Sequence, residues 1–505
     1  MVRAGPRDTY LKASLRPAAR SGESQKRGLY REISRLCEEA RCAFSSERSY
    51  QRAKALIFSE LVCMGRHTVT GLICASGAQF SDWSAAYRLF ARERVDTSAL
   101  LSVVRRGVVA ELPPDHPLVV GLDDTLVKKS GKKTCGVGWR RDPLGPPFCN
   151  NFIRAQRFLQ ASAALPSGPG PSPARMIPVA FSHVPTPPKP KISASEWEWH
   201  LWRQRMREES LPRLGAEMVA GLRRSLDREG EEARRLVVVA DGGYTNGRMI
   251  KDLPERTTFI GRVRADAKLH FLPTESARRS RGRRLVYGEK APTPEEIRQD
   301  ETIPWQTVRV HAAGKVHDFR IKVVFPLLWR ATGPLALRLI VIAPLSYRPR
   351  KGSRLLYRKP AYLISTDPDL DVARAIQYYV WRWDLEVNFR EEKQLLGMGE
   401  AQVRNASSVE KAPAFAVASY AILLLAAHRA FGAGEIPGAI PPPKWRTSAA
   451  KPRVSTADYA QQLRYELWGR SLGNHNFSGF VNGRLGVTKS EKCDPDLASA
   501  VLYAA

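Results

Sequence analysis

Four polar side chains fall at helical spacing in one stretch of the sequence. Tyr379, Arg382, Glu386 and Lys393 project within an arc of about 60° if this stretch is helical, because successive helical residues turn by about 100°. The two cations suit the oxygens of a phosphodiester, and the carboxylate would be repelled by phosphate unless a divalent cation lay between them. A solvated helix face with i,i+4 ion pairs is the alternative interpretation.

Two short apolar runs each end in acidic residues. Residues 117–122 precede Asp123 and Asp124, and residues 236–240 precede Asp241. Both runs are typical of buried central strands, whose carboxyl ends are where sites form in α/β sheets. Together with the helical glutamate, these aspartates supply the oxygen ligands that Mg²⁺ prefers. The pattern therefore predicts in-line phosphodiester chemistry with two metal ions, which would relieve the repulsion among three carboxylates.

The sequence leaves two choices for the first aspartate of this set. Adjacent residues of a strand point to opposite faces of the sheet, so only one of Asp123 and Asp124 can face the metal ions. We predict Asp124, which shares a face with Val120 and Leu122. Asp123 is the alternative, and the remaining aspartate would support the site or cap the following turn.

Composition points to a polyanionic partner. The chain has 505 residues, 80 Lys and Arg against 50 Asp and Glu, and a formal net charge of +30. Such a surplus attracts nucleic acid, and four lysines after the first aspartates, Lys128, Lys129, Lys132 and Lys133, are expected to contact DNA backbone. An ordinary solvated loop is the alternative for these lysines.

Composition also excludes several classes of protein. A hydrophobic content of 43% argues against a disordered chain. The longest apolar run, residues 414–427, is shorter than the roughly 20 residues that span a bilayer, so we expect a core helix and no membrane partner. The first 20 residues have no apolar signal core, and the seven cysteines form no close CxxC pair. We therefore expect a cytoplasmic protein.

The polar stripe and the two acidic strands resemble the motifs of one known family. The spacing Tyr-x2-Arg-x3-Glu-x6-Lys at positions 379–393 resembles the Y-R-E-K signature of bacterial insertion-sequence transposases with a DDE triad. Residues 119–125 (VVGLDDT) and 239–244 (VADGGY) resemble the first-Asp and second-Asp strands of that family, in the same order. The resemblance covers about residues 115 to 430.

The resemblance implies a fold and a set of residue roles. It implies an α/β multidomain protein with an RNase H-like mixed sheet and flanking helices, a β-rich insertion and a helical N-terminal domain. The first aspartate, Asp241 and Glu386 would bind two Mg²⁺ ions, for which Mn²⁺ can substitute, and Tyr379, Arg382 and Lys393 would contact DNA. The partners implied are double-stranded transposon ends and target DNA, with a homodimer in the DNA complex and a location at the bacterial nucleoid.

Changes in composition along the chain, together with the fold that the resemblance implies, predict five regions. Residues 28–112 read as helical, as a helix-turn-helix or a plain bundle, and strand patterns dominate residues 256–366. The predicted regions are a helical DNA-binding region (1–112), a first core part (113–255), a β-rich insertion (256–366), a second core part with the catalytic-glutamate helix (367–432), and a linker with a basic tail (433–505).

The predicted function is that of a DNA transposase, which cleaves transposon ends and joins the freed 3′-hydroxyls to target DNA. Two alternatives stay open from the sequence. One is a metal-dependent nuclease that cuts without joining strands. The other is an inactive or domesticated DNA-binding protein that keeps the basic surfaces; the intact acidic residues and the intact stripe argue against it.

Overall fold

The structure is a computed structural model of the whole chain. It describes residues 28–76, 78, 82–131, 134–142, 145–146, 148, 151–273, 285–348, 352–432 and 453–469.

A mixed sheet forms the centre of the protein. Its first six strands are β1 (Leu118–Lys128), β2 (Gly138–Arg141), β3 (Phe152–Pro166), β4 (Ala174–Val184), β5 (Leu236–Ala240) and β6 (Thr257–Arg262). Strand β1 pairs antiparallel with β3 and parallel with β5, β5 pairs parallel with β6, and β3 also pairs with β2 and β4. This mixed α/β arrangement is compatible with the expected RNase H-like core.

The sheet continues through the strands of the predicted insertion. These strands are β7 (Leu269–His270), β8 (Gln306–Ala312), β9 (Lys315–Trp329), β10 (Ala336–Ile342), β11 (Ser346–Tyr347), β12 (Leu356–Tyr357) and β13 (Ala361–Ser365). Strand β13 pairs with β6 and leads through β10 to β9, so the described strands form one 11-stranded sheet and a separate β11–β12 pair. Strand β6 lies within the range assigned to the insertion, yet it pairs with core strand β5. The domain boundaries themselves stay a prediction.

Helices cover both faces of the sheet and form the N-terminal region. They are α1 (Leu29–Glu39), α2 (Glu47–Val62), α3 (Val69–Ala75), α4 (Ser84–Ala91), α5 (Thr97–Glu111), α6 (Glu196–Glu208), α7 (Leu211–Arg228), α8 (Gly247–Lys251), α9 (Pro294–Gln299), α10 (Val372–Trp381), α11 (Trp383–Gln394), α12 (Ala406–Phe431) and α13 (Thr456–Arg464). Whether α3 and α4 act as a helix-turn-helix remains a prediction.

Helix α12 joins the N-terminal helices to the sheet. It packs against α1, α2, α4 and α5 on one side and against β4 on the other. Among the described helices it alone is long and apolar enough to cross a membrane, although 83% of its most apolar window is buried within the protein. Its apolar residues supply much of the contact between the N-terminal helices and the sheet.

The stretch with the four polar side chains forms two helices. Helix α10 ends at Trp381 and α11 begins at Trp383, with Arg382 between them in a helical conformation. The Arg382 amide donates to the Tyr379 carbonyl three residues earlier, and the Leu385 amide donates to the Arg382 carbonyl. The expected single helix is thus interrupted at Arg382, and this places the guanidinium at the junction of two helices.

Part of the predicted linker and basic tail packs on the core. Arg453 pairs with Asp384 of α11 through both carboxylate oxygens, at 2.7 and 2.8 Å. Arg464 donates to the carbonyl of Val62, and Glu466 accepts from the amide of Leu29. Residues 453–469 therefore connect helix α11 to the N-terminal helices α1 and α2.

Shortening Leu425 tests the central place of α12. We expect Leu425→Ala to lower the free energy of unfolding by about 2–5 kcal/mol, because the side chain is fully buried and its removal leaves a cavity. Denaturant unfolding measures the change. Glu410→Ala, at an exposed position of the same helix, is the control and should shift stability by less than about 0.5 kcal/mol. Equal effects of the two variants would contradict the packing described.

Candidate active site

Asp123 and Asp241 lie side by side where the parallel pairing of β1 and β5 ends. Leu122 of β1 is in register with Ala240 of β5, so the two aspartates that follow occupy neighbouring positions on the same face. This face is covered by α11: a Cβ added to Gly121, two residues before Asp123, would lie 3.2 Å from Leu385 and 3.5 Å from Arg382. The two carboxylates therefore lie beneath the helix that carries Glu386.

Arg382 links the predicted residues of the site. Its Nη1 lies 2.8 Å from Oδ2 of Asp123, and its Nη2 lies 3.9 Å from Oε1 of Glu386. The guanidinium also lies over the ring of Tyr379, 5.7 Å from the ring centroid. The arginine and the tyrosine are buried, whereas the side chain of Glu386 is 49% exposed. One guanidinium thus contacts the first aspartate, the glutamate and the tyrosine.

Asp124 points to the opposite face of the sheet. Its Oδ1 accepts a hydrogen bond from the Tyr244 hydroxyl at 2.9 Å, and its Oδ2 lies 3.2 Å from Nε of Arg157. Of the two candidates, it is therefore Asp123 that shares a face with Asp241. The identity of the first catalytic aspartate stays a prediction. Asp124 shares its face of β1 with Leu122. Helix α7 covers that face, because a Cβ added to Gly215 of this helix would lie 3.2 Å from Leu122. Asp124 instead holds Tyr244 in the turn that follows Asp241.

Burial dominates the electrostatics of the first aspartates. It raises the pKa of Asp123 to about 7, with Arg382 acting to lower this pKa and Asp241 acting to raise it. Burial also raises the pKa of Asp124, against the lowering effect of Arg157. Two adjacent, partly desolvated carboxylates repel each other, and a nearby positive charge stabilises their ionised forms. Arg382 supplies that charge to Asp123.

The donor set fits a divalent cation by its chemistry. Carboxylate oxygens are the ligands that Mg²⁺ prefers, and the pair Asp123 and Asp241 would gain from a cation because of their mutual repulsion. Within the described residues, however, no three acidic, histidine or cysteine side chains are arranged to hold a metal ion. The observed contacts are consistent with this finding, since Arg382 contacts both Asp123 and Glu386.

The lysines predicted to contact DNA have different environments. Nζ of Lys128 lies 3.2 Å from a carboxylate oxygen of Asp142, and the side chain is exposed. Lys393 is half-buried on α11, and burial lowers the pKa of its amine. Lys132 and Lys133 lie outside the described residues.

Lys129 has a structural role that the sequence did not indicate. Its half-buried amine donates hydrogen bonds to the carbonyls of Gly399 at 2.6 Å and Ala401 at 3.3 Å. Burial lowers its pKa. The amine therefore holds the loop after α11 against the end of β1. A contact of Lys129 with DNA backbone stays a prediction.

Arg262 is a cation at the site that the sequence reasoning missed. Gly261 of β6 is in register with Ala240 of β5, so Arg262 lies beside Asp241 on the same face. The side chain is exposed and, with Tyr379 and Arg382, lines a cavity of about 720 Å³. The sequence signal for Arg262 is the run of strand-forming residues at 257–262. If this run is the core strand next to β5, Arg262 falls at the same level as Asp241.

Comparison with known families agrees with this geometry. The sequence model of a family described as "DDE superfamily endonuclease" matches residues 41–157 and 216–317. This match supports a DDE transposase-type family. The matched residues include Asp123, Asp124 and Asp241 but not Glu386, so the glutamate is placed by the structure alone. No curated protein matches the chain.

Similarity to DDE superfamily endonucleases indicates an enzyme that acts on DNA. It also agrees with the net charge of +30. The Y-R-E-K group and an insertion-sequence origin remain predictions.

Replacing Lys129 tests its structural role. We expect Lys129→Met to lower the free energy of unfolding by about 1–3 kcal/mol, because two carbonyls lose a charged donor. Lys128→Met, which loses only an exposed ion pair, should cost less than about 1 kcal/mol. Denaturant unfolding and the salt dependence of DNA binding are measured for both variants. A weaker salt dependence in Lys129→Met, with unchanged stability, would support the DNA-contact interpretation.

Proposed function

We propose that this protein is a DNA transposase that cleaves transposon ends and joins the freed 3′-hydroxyls to target DNA. The observation that carries the proposal is the position of Asp123 and Asp241 side by side, where the parallel pairing of β1 and β5 ends beneath the helix of Glu386. A carboxylate set at the end of an α/β sheet, beside a cationic cavity, suits hydrolysis and transesterification of phosphodiesters. The similarity to DDE superfamily endonucleases supports the same class of chemistry.

In this proposal Asp123, Asp241 and Glu386 hold Mg²⁺, as two ions for which Mn²⁺ can substitute. Bound metal would activate the attacking water or 3′-hydroxyl and stabilise the leaving oxygen. Arg382 and Tyr379 lie at the edge of the cavity and meet the phosphate there, Arg382 through its planar guanidinium. Asp124 orients the turn after Asp241 through Tyr244.

The cavity next to the site has the charge needed for a DNA strand. Six lysine and arginine side chains line it, and Asp384 is the one carboxylate among its described lining residues. That carboxylate is paired with Arg453. Arg262 of β6 lines this space together with Arg358 and Lys359 of the predicted insertion. We propose that DNA backbone follows this surface to the carboxylates, in a homodimer that pairs the two transposon ends at the nucleoid.

A nuclease that cuts without joining strands is the second candidate. The matched family is described as an endonuclease, a word that names strand cleavage and not strand joining, and this favours the nuclease. A strand-transfer assay with a pre-cleaved transposon end and a supercoiled target separates the two candidates. Joined products support the transposase, and cleavage without joined products supports the nuclease.

Neutralising the carboxylates one at a time tests the assignment. We expect Asp123→Asn, Asp241→Asn and Glu386→Gln each to lower the rate of Mg²⁺-dependent strand cleavage by about 10³-fold or more, because each removes several kcal/mol of transition-state stabilisation. The rate is measured in single-turnover assays on labelled DNA.

Asp124→Asn is the matched control, since it changes the neighbouring carboxylate on the opposite face. We expect it to lower the rate by only about 10- to 100-fold, through the loss of orientation by Tyr244. An inactive Asp124→Asn together with an active Asp123→Asn would reverse the assignment of the first aspartate.

Removing the charge of Arg262 tests the proposed DNA path. We expect Arg262→Gln to reduce the slope of log K against log salt for DNA binding by about one, which corresponds to one lost phosphate contact. Arg264→Gln is the control, because Arg264 is exposed two residues later and pairs with Asp266. Equal slopes for both variants and the wild type would place the DNA elsewhere.

A further inference from the structure

A buried polar pair lies behind the candidate site. Gln160 of β3 is in register with Asp123 of β1, and Glu392 lies on α11, six residues after Glu386. Both side chains are fully buried. Nε2 of Gln160 donates a hydrogen bond to Oε1 of Glu392 at 2.8 Å. One contact therefore connects the strand next to the first aspartate with the helix of the glutamate.

The two remaining oxygens of this pair indicate that the carboxyl group of Glu392 is protonated. Oε1 of Gln160 and Oε2 of Glu392 are both buried and have no hydrogen-bond partner among the described residues. A proton on Oε2 of Glu392 supplies the donor that the amide oxygen of Gln160 lacks. The carboxyl and amide groups can then form two antiparallel hydrogen bonds, which satisfies both orphaned atoms.

The surroundings of Glu392 favour its neutral form. Burial raises the pKa of Glu392 to about 8, the hydrogen bond from Gln160 and the charge of Lys393 act to lower it, and Glu391 acts to raise it. The hydroxyl of Tyr420 also lies in this region, but it donates to Glu391. A carboxylate buried without a cation in direct contact is costly, so protonation is the favourable response.

We propose that Glu392 is a neutral positioning residue whose pairing with Gln160 fixes α11 against β3 and so sets Glu386 over Asp123. Asn388 holds the middle of α11 through a hydrogen bond to the Met176 carbonyl at 2.8 Å. The Gln160–Glu392 pair fixes the helix farther towards its C-terminal end, close to Lys393. Among the described residues, neither side chain forms a hydrogen bond with Asp123, Asp241 or Glu386. Its effect on strand cleavage rests on the proposed function, whereas its effect on stability does not.

The pH dependence of stability tests the protonation state directly. The pKa of Glu392 is raised in the folded protein, so wild-type stability falls as the pH rises from the usual carboxyl value and levels off above about 8. Glu392→Gln keeps both hydrogen bonds and cannot ionise. We expect its Tm advantage over the wild type to grow between pH 5 and 8 and to level off above that range. A difference that does not change with pH would overturn the neutral assignment.

Cleavage kinetics test the positioning role. We expect Glu392→Ala and Gln160→Ala to lower kcat by about 10-fold or more with little change in KM for DNA, and Glu392→Gln to retain the wild-type kcat. Gln156→Ala is the matched control, since Gln156 is a buried glutamine of the same strand that donates to the Val409 carbonyl of α12. It should lose stability while keeping kcat.

The outcomes of this experiment are distinct. Equal kcat values for Glu392→Ala and Gln156→Ala would overturn the positioning role, as would a Glu392→Gln variant as slow as Glu392→Ala. If Glu392→Ala does not fold, Gln160→Ala and Glu392→Gln still decide the question. Absence of cleavage by the wild-type protein would refute the proposed function, and the Tm series would still test the neutral pair.

Discussion

The ion pair between Arg382 and Asp123 is the interaction on which the candidate site depends. A β1–β5 pair that ends in two adjacent aspartates places like charges together in a partly desolvated position, which raises the pKa of Asp123. A positive charge stabilises the ionised form of such a pair. Arg382 is itself buried, so neither member of the pair can be removed without leaving the other charge without its direct counter-charge.

The position of Arg382 in turn requires a firmly held helix. Asp384 of α11 accepts a hydrogen bond from the Met176 amide at 2.9 Å and a bidentate pair from Arg453. Farther along, Glu391 accepts from the hydroxyls of Tyr420 and Thr456, both at 2.6 Å. These partners come from a strand, from α12 and from the segment after residue 452. Distant parts of the chain thus fix one short helix, which explains why the segment 453–469 packs on the core.

The sequence predicted the local features of the site but not the contacts that depend on the whole fold. The apolar runs before Asp123 and Asp241 were sufficient to predict two buried strands, and the structure confirms both. Alternation along β1 showed that Asp123 and Asp124 face opposite sides, yet it could not show which side α11 covers. That choice is made by tertiary packing, in which Leu385 and Arg382 lie over Gly121.

Two further differences have the same origin. Lys129 looks like one more cation of a basic loop, because the carbonyls that hold its amine are about 270 residues away in the sequence. Arg262 lies in the range predicted to be the insertion, and only the register of β5 with β6 places it beside Asp241. Charge and spacing identify candidates along the chain, but the pairing of strands decides which candidates meet.

Arg382 contacts an acidic residue of the candidate site and also lines the cationic cavity. This one side chain therefore connects the carboxylates with the cavity. It pairs with Asp123 on one side and lines the cavity with Arg262 on the other. A phosphate bound in this cavity would compete with Asp123 for the same guanidinium, and the aspartate would then lose its counter-charge. Since a second cation can restore that charge, we expect anion binding in the cavity and cation binding at the carboxylates to favour each other, as the reciprocity of linked equilibria requires.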